Sequence, residues 1–438
     1  MTETPNSEAV STKLQRIAEL ARRMPGVALT NLSHHIDVEW LREAFRRTRK
    51  SGAVGVDGQT WHEYERDLES NLEDLLSRFK TGRYFAPPVR RVHIPKGDGK
   101  ETRPIGIPTL EDKVLQRAVA MCMGAVYEQD FLDCSYGFRP GRSAHQALDQ
   151  LRTAVMDTWG GWIIEVDIRR FFDTLDHAKL REILEQRVRD GVILRQIGKW
   201  LNAGVLEGAS LSYPDQGTPQ GGVISPLLAN IYLHTVLDQW IEEKVKPQAL
   251  ASVVLVRYAD DFVILLRNEI DAHALYAALP KRFAKYGLTL HPEKTRLTPF
   301  RQPPRRGPKE HVSFDFLGFN HAWMKSLKGI WVLYQQMSRK RRTRVLTRLR
   351  QWLSEHRHEP IAAQHQQLGS KLRGLYAYFG LPGNALVMAS LRNEVRREWK
   401  KWLGRRSWHA ALHWDRYRQL EKRFSLPRAR ITYPPSRP

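Results

Sequence analysis

Two adjacent aspartates, Asp260 and Asp261, stand between Tyr258-Ala259 and an apolar run over residues 262–266. Residues 252–256 on the other side are also apolar and rich in branched side chains, so the segment reads as a hairpin with carboxylates at its tip. A third carboxylate, Asp167, closes an apolar strand pattern over residues 162–168 and is followed by the pair Phe171-Phe172. An Asp-Asp pair alone would read as a solvated turn. At the ends of apolar strands, three carboxylates repel one another and are costly unless something neutralises them. Two Mg²⁺ ions would do so, with Mn²⁺ as a substitute, and Asp167, Asp260 and Asp261 are the expected ligands. Such ions take oxygen ligands and keep positions open for phosphates. Held about 4 Å apart, they lower the pKa of a hydroxyl and stabilise a leaving pyrophosphate. That is the chemistry of nucleotide polymerisation.

Several elements must hold these carboxylates. Residues 12–50 mix polar and apolar residues at helical spacing. Thr60 and Glu63 match a capping box that opens a helix running to about Phe79. Pro87-Pro88 ends that unit, and a hairpin follows with its turn at Lys96-Gly97-Asp98-Gly99. Thr109 caps a further helix. The strand at 162–168 leads to the Phe pair and to a helix from about His177. A Gly-Pro loop containing "TPQGG" feeds a long apolar helix ahead of the aspartate hairpin. Short strands follow around 285–300 and 312–321, separated by "RQPPRRGP". From Ser338 the chain reads as a basic helix, with Val345, Leu346, Leu349, Trp352 and Leu353 on one face and arginines opposite.

Composition narrows the class. The 438 residues carry a net charge of +23 and only two cysteines, Cys122 and Cys134. This excludes a disulfide framework and a four-cysteine zinc site. No long apolar run suits a membrane span and no signal peptide is evident, so a cytoplasmic protein without membrane contact is expected. The charge is uneven: residues 1–300 hold 40 Lys+Arg against 39 Asp+Glu, whereas 301–438 hold 30 against 8, with seven of the 13 tryptophans. A basic, aromatic-rich segment points to nucleic acid.

In order, "IPKGDGKETRPIGIPTLEDKVLQ", "SYGFRPGRSAHQAL", "EVDIRRFFDTLDH", "GTPQGGVISPLLANIYL", "RYADDFVIL", "GLTLHPEKT" and "FDFLGF" resemble the successive blocks of group II intron reverse transcriptases. "KLRGLYAYFGLPGN" resembles their thumb or maturase signature, and the match runs from about residue 35 to about 410. The resemblance implies an α+β right-hand fold: an extension over 1–34, fingers and the start of the palm over 35–160, palm over 161–320, and a helical basic thumb with a short tail over 321–438. It places Asp167, Asp260 and Asp261 at the family's catalytic positions. Lys96 and Arg103 match residues that hold the triphosphate, and their point charge and planar fork suit phosphate oxygens. Gln220 matches a nucleotide contact. Phe172 matches an aromatic gate against the 2′-hydroxyl, with Phe171 as its rival. Lys294 is expected near primer or nucleotide, unless it is a plain surface lysine. Arg139 and Arg142 either touch template phosphates or pair with acids of the fingers. Tyr136 and His145 read as structural. Arg341, Arg344 and Arg348 are candidate RNA contacts on the basic helix.

The resemblance therefore implies an RNA-directed DNA polymerase that binds its intron RNA, assists splicing and copies the RNA into cDNA. Its expected partners are group II intron RNA, an RNA template, a DNA primer or target, and deoxynucleoside triphosphates. The cysteine-rich C-terminal endonuclease found in many members is not expected here. Two alternatives remain at this level. One is a reverse transcriptase of the same lineage recruited to defence or repair. The other is an RNA-binding splicing cofactor without polymerase activity, against which the intact candidate residues argue.

Overall fold

A computed structural model describes residues 5–96, 101–208, 210–213, 221–304, 312–326, 328–406 and 412–433. The chain divides into two compact units. One comprises residues 1–94, 102–150 and 166–297, and the other 95–101, 151–165 and 298–438. The mixture of helices and sheets is α+β, as expected.

In the first unit the stretch read as helical over 12–50 forms two helices, α1 (Pro5–Arg23) and α2 (Val38–Arg46). Between them stands Pro25-Gly26, the glycine at φ +70°, a pairing that ends a helix. The capping box is present: Thr60 Oγ1 accepts from Glu63 N, and the Glu63 carboxylate accepts from Thr60 N at 2.8 Å. The helix it opens breaks at Asp67, giving α3 (Trp61–Arg66) and α4 (Leu68–Lys80). The strands β1 (Val89–Lys96) and β2 (Glu101–Ile107) follow. Most of the turn expected between them lies outside the described residues. Thr109 caps α5 (Leu110–Tyr127), accepting from Asp112 N, and α1 and α2 pack against this largely buried helix.

The unit boundary falls within α6 (Ala144–Thr158). Next comes β3 (Gly160–Val166), which stops one residue short of Asp167. α7 (His177–Glu185) starts where expected, Asp176 capping it, and α8 (Gly191–Leu201) follows. β4 (Val205–Glu207) pairs in parallel with β1, and β5 (Ser210–Ser212) completes a sheet of order β2-β1-β4-β5. The apolar helix α9 (Ser225–Leu233) continues into a π-helical turn at His234–Asp238. The expected hairpin is β6 (Val253–Tyr258) and β7 (Asp261–Leu266), antiparallel with Tyr258 opposite Asp261. Its two-residue tip is Ala259-Asp260, and Ala259 takes φ +58°, as tight hairpin turns require. α10 (Glu269–Lys285), capped by Asn268, follows.

The second unit takes in most of β8 (Arg296–Arg301), a neighbour of β3. It also holds an antiparallel sheet of β9 (Ser313–Phe316), β10 (Phe319–Lys325) and β11 (Trp331–Met337) in the order β11-β10-β9. Four helices complete it: α11 (Arg339–Glu355), α12 (Ile361–Phe379), α13 (Ala385–Leu403) and α14 (Trp414–Arg423). Ser338 caps α11, accepting from Arg341 N. Leu346, Leu349 and Leu353 of α11 are buried, whereas Val345 and Trp352 are only half-buried, so the core stripe is narrower than the pattern indicated. Among the described residues no helix is long and apolar enough to cross a membrane.

Candidate active site

Asp167, Asp260 and Asp261 lie in the first unit, at the end of β3 and at the tip of the β6–β7 hairpin. Asp167 is fixed by its backbone: its carbonyl accepts from His291 N at 2.8 Å, and Ile168 bridges to Leu290. Asp260 is half-buried, and its carboxyl is raised above the ordinary range. Burial is the main cause. The charge of Asp167 adds to it, while the Arg103 and Arg257 guanidiniums oppose it. Asp167 and Asp260 thus feel each other as like charges. Asp261 faces solvent at the start of β7. Among the described residues no three His, Cys, Asp or Glu side chains are gathered closely enough to cage a metal ion. The donor chemistry nevertheless suits a hard divalent cation, which prefers carboxylate oxygens as ligands.

Lys294, placed near primer or nucleotide by the sequence, donates from Nζ to Asp167 Oδ2 at 2.9 Å. It is therefore a partner of a candidate metal ligand. Arg103, on β2, is exposed and within electrostatic reach of Asp260. The side chain of Lys96 and the whole of Gln220 lie outside the described residues. Gln116 Oε1 accepts from Val223 N at 2.7 Å, holding the chain just beyond Gly221-Gly222. Phe171 is buried and meets Tyr232 edge-on, whereas Phe172 is half-exposed, so of the two rings Phe172 is the accessible one.

Arg139 and Arg142 both take the second of the two readings open to them, a pairing with nearby acids. Arg139 is not available to template phosphates. Its guanidinium is buried, paired with Glu128 at 3.0 Å, and donates to the Leu132 and Ser135 carbonyls, each at 2.8 Å. Its Nε and Nη1 are thus satisfied by Glu128 at the end of α5 and by two carbonyls of the following loop. Arg142 follows the other reading offered for it, pairing with exposed Asp133 and lying over the Tyr136 ring. In the second unit, Arg342 and Arg350 of α11 pair with Glu394 and Glu398 of α13. No acid partner is seen among the described residues for Arg341, Arg344 or Arg348.

The sequence reading missed the support beneath the hairpin. Arg257 and Asp238 are both 0% exposed. The guanidinium donates from Nε to Asp238 Oδ1 at 2.8 Å and from Nη2 to Oδ2 at 2.5 Å. Nη1 donates to Asn230 Oδ1 at 2.9 Å and to the Ala259 carbonyl at 3.0 Å. Burial opposes both charges, but their mutual attraction wins: Asp238 stays below the usual carboxylate range and Arg257 above the usual guanidinium range. Asn230 Nδ2 donates to the Gly137 carbonyl at 2.7 Å. A Cβ at Gly137 would overlap the Ala259 backbone nitrogen, so the loop before α6 lies directly against the hairpin tip. The available signal was a charged residue inside an apolar strand, at Val256-Arg257-Tyr258, with an aspartate on the preceding apolar helix.

The profile of reverse transcriptases (RNA-dependent DNA polymerases) matches residues 94–321, just over half of the chain. Protein YkfC of Escherichia coli K12 is 35% identical over 292 residues, covering 58% of this chain and 76% of YkfC. The group II intron-encoded protein LtrA of Lactococcus lactis subsp. cremoris is 42% identical over 175 residues, 40% of this chain and 28% of LtrA. A putative COX1/OXI3 intron 1 protein of Saccharomyces cerevisiae is 27% identical over 334 residues, 65% of this chain and 38% of that protein. The chain thus spans three quarters of YkfC but less than a third of LtrA. The matched region contains all three aspartates, and the resemblance read from the sequence blocks is borne out: the chain belongs to the reverse transcriptase family, the RNA-directed DNA polymerases, of the kind related to group II intron-encoded proteins.

Proposed function

We propose that the chain copies RNA into DNA at a two-metal centre held by Asp167, Asp260 and Asp261. It would serve a group II intron, whose RNA it binds, helps to splice and reverse-transcribes for mobility. The observation that carries the reading is the pair of like charges at the strand ends, Asp167 and Asp260, with Asp260 raised partly by its neighbour. In this reading, divalent ions, Mg²⁺ or Mn²⁺, supply Lewis acidity to the primer hydroxyl and the phosphates. The chain's own residues do the rest. Asp167 and Asp260 offer carboxylate oxygens from backbone positions fixed by the His291 bond and the hairpin turn. Arg103 and Lys96 would orient the triphosphate by charge. Phe172 would close the space beside the sugar C2′, and Gln220 would contact the incoming nucleotide. The 3′-hydroxyl oxygen bonds to the α-phosphorus as the bond to pyrophosphate breaks. Fingers, palm and thumb follow from the family's right-hand fold, with Arg341, Arg344 and Arg348 on RNA and Arg142 no more than a surface pair.

Asp260→Ala tests the reading. Primer extension on an RNA template should fall by several orders of magnitude, as expected when transition-state charge loses its support. RNA affinity should stay within about twofold. Extension by Asp260→Ala near the wild-type rate would end the proposal, and so would wild-type extension in chelator.

A further inference from the structure

Phe138 lies in the loop between α5 and α6, in "SYGFRPGRS". Its φ is +57°, a left-handed conformation that bulky L-residues adopt only under compulsion. Burial does not offset that strain, because the side chain is 62% exposed. Trp159 offers a contrast. It too is exposed, at φ +55°, but it follows the end of α6 and precedes Gly160, where left-handed residues commonly terminate helices. Phe138 ends no helix. Asn or Gly would serve the backbone better at this position.

The backbone of the loop is held on both sides of Phe138. Tyr136 N donates to the Arg257 carbonyl at 2.9 Å, and Arg257 N donates to the Cys134 carbonyl at 2.8 Å. Gly137 is locked by Asn230 and by its contact with Ala259, and Arg139 by Glu128 and two carbonyls. The ring stands beside the hairpin tip, its centroid 6.5 Å from that of Tyr258, which is two residues before Asp260.

We propose that Phe138 is a stacking surface for a nucleobase of the strand bound beside the carboxylates. The inference rests on the polymerase reading above and adds a contact to it. A flat apolar face suits this task because every base has a π-face. Stacking thus holds a strand without selecting its sequence, as copying requires. The base could belong to the primer end or to the template.

The test compares full-length wild type, Phe138→Asn and Phe138→Trp. Asparagine tolerates the left-handed backbone, so Phe138→Asn should melt at or above the wild-type temperature. Its affinity for a primer–template should nevertheless fall roughly 5- to 150-fold, about 1–3 kcal/mol of stacking at 1.4 kcal/mol per tenfold. The KM for primer–template should rise while the KM for deoxynucleotide stays put. Phe138→Trp should keep wild-type affinity. With 2-aminopurine at the primer end in one duplex and at the facing template position in another, fluorescence quenched by wild type should reappear in Phe138→Asn for whichever strand is stacked. Unchanged affinity and quenching in Phe138→Asn would overturn the inference, and so would a loss accompanied by a lowered melting temperature, which would make the ring a packing element. If wild type extends primers and Asp260→Ala does not, those results count against Phe138 alone. If neither condition holds, the polymerase reading itself has failed.

Discussion

Replacing Arg257 with Met tests whether the hairpin tip depends on what lies beneath it. The substitution keeps most of the aliphatic volume but removes all four guanidinium hydrogen bonds. Two of these go to Asp238, one to Asn230 and one to the Ala259 carbonyl. Asp238, 0% exposed, would be left as a buried charge without its counterion. Breaking a fully buried pair costs about 3–5 kcal/mol, a large part of the roughly 5–15 kcal/mol that holds a domain together. In urea the midpoint should move down by about 1–2.5 M at a slope of about 2–3 kcal/mol per M. The double variant Arg257→Met with Asp238→Leu removes both charges and should regain most of that loss, because a hydrophobic replacement of a buried pair is often neutral. Primer extension should separate the two effects. The double variant still lacks the donor that anchors Ala259, whose φ of +58° needs support. Its kcat should therefore stay at least about tenfold below wild type, although its stability is restored, in line with the sensitivity of catalysis to small misplacements. Three outcomes would refute the reasoning: a single variant within 1 kcal/mol of wild type, a double variant no more stable than the single, or a double variant with full kcat.

Two further perturbations follow from the structure. The Asp112 carboxyl is fully buried, and burial raises it to about 6, against hydrogen bonds from Trp200 Nε1 at 2.6 Å, Gln116 Nε2 at 2.9 Å and Tyr84 Oη at 3.2 Å. Because the folded state holds this proton more tightly than the unfolded chain, stability should fall as pH rises through the window between about 4 and 6, by about 3 kcal/mol. Asp112→Asn should flatten that part of a stability–pH curve measured by urea unfolding, and an unchanged slope would count against the assignment. On α11, replacing Arg341, Arg344 and Arg348 together by Gln should weaken structured-RNA binding. It should also cut the slope of log K against log salt by up to about 2–3 units if each meets a phosphate, and an unaltered slope would remove them from the interface.

The sequence was most legible where the signal is local. The capping residues Thr60 and Thr109 each accept from the backbone three positions on, as expected. The hairpin around Asp260 is equally plain because period, turn length and branched residues agree. Helix interruptions were harder to see. The break at Asp67 has no proline or glycine to mark it, and the residues on either side remain good helix formers. The lengths of the apolar stripes were also overread, since Val345 and Trp352 sit at the edge of α11's buried face. Helical spacing gives direction around the axis but not the width of the surface that covers it.

Charge was the least legible property, because its meaning depends on partners distant in sequence. Arg139 lies in a short basic stretch that invites a phosphate, yet Glu128, eleven residues earlier at the C-terminal cap of α5, takes its guanidinium inside. Arg257 looks like an anomaly in a strand until Asp238, nineteen residues back on a π-helical turn, is placed beneath it. Lys294 is open to two readings in the sequence, near primer or nucleotide or a plain surface lysine, and its Nζ stands 2.9 Å from Asp167, 127 residues away. Arg139 and Arg257 also donate to backbone carbonyls, so these two fix backbone rather than presenting a free charge. Arg139 fixes the loop that exposes Phe138, Arg257 fixes the turn that carries Asp260, and Lys294 meets the carboxylate at the end of β3. The positive charges nearest the three aspartates therefore divide by burial. Those fully enclosed shape the turn, whereas Arg103 and Lys294 are exposed, the first within electrostatic reach of Asp260 and the second paired with Asp167. A test of the site must respect that division, since removing an enclosed arginine perturbs folding and chemistry together and only a paired substitution can separate the two.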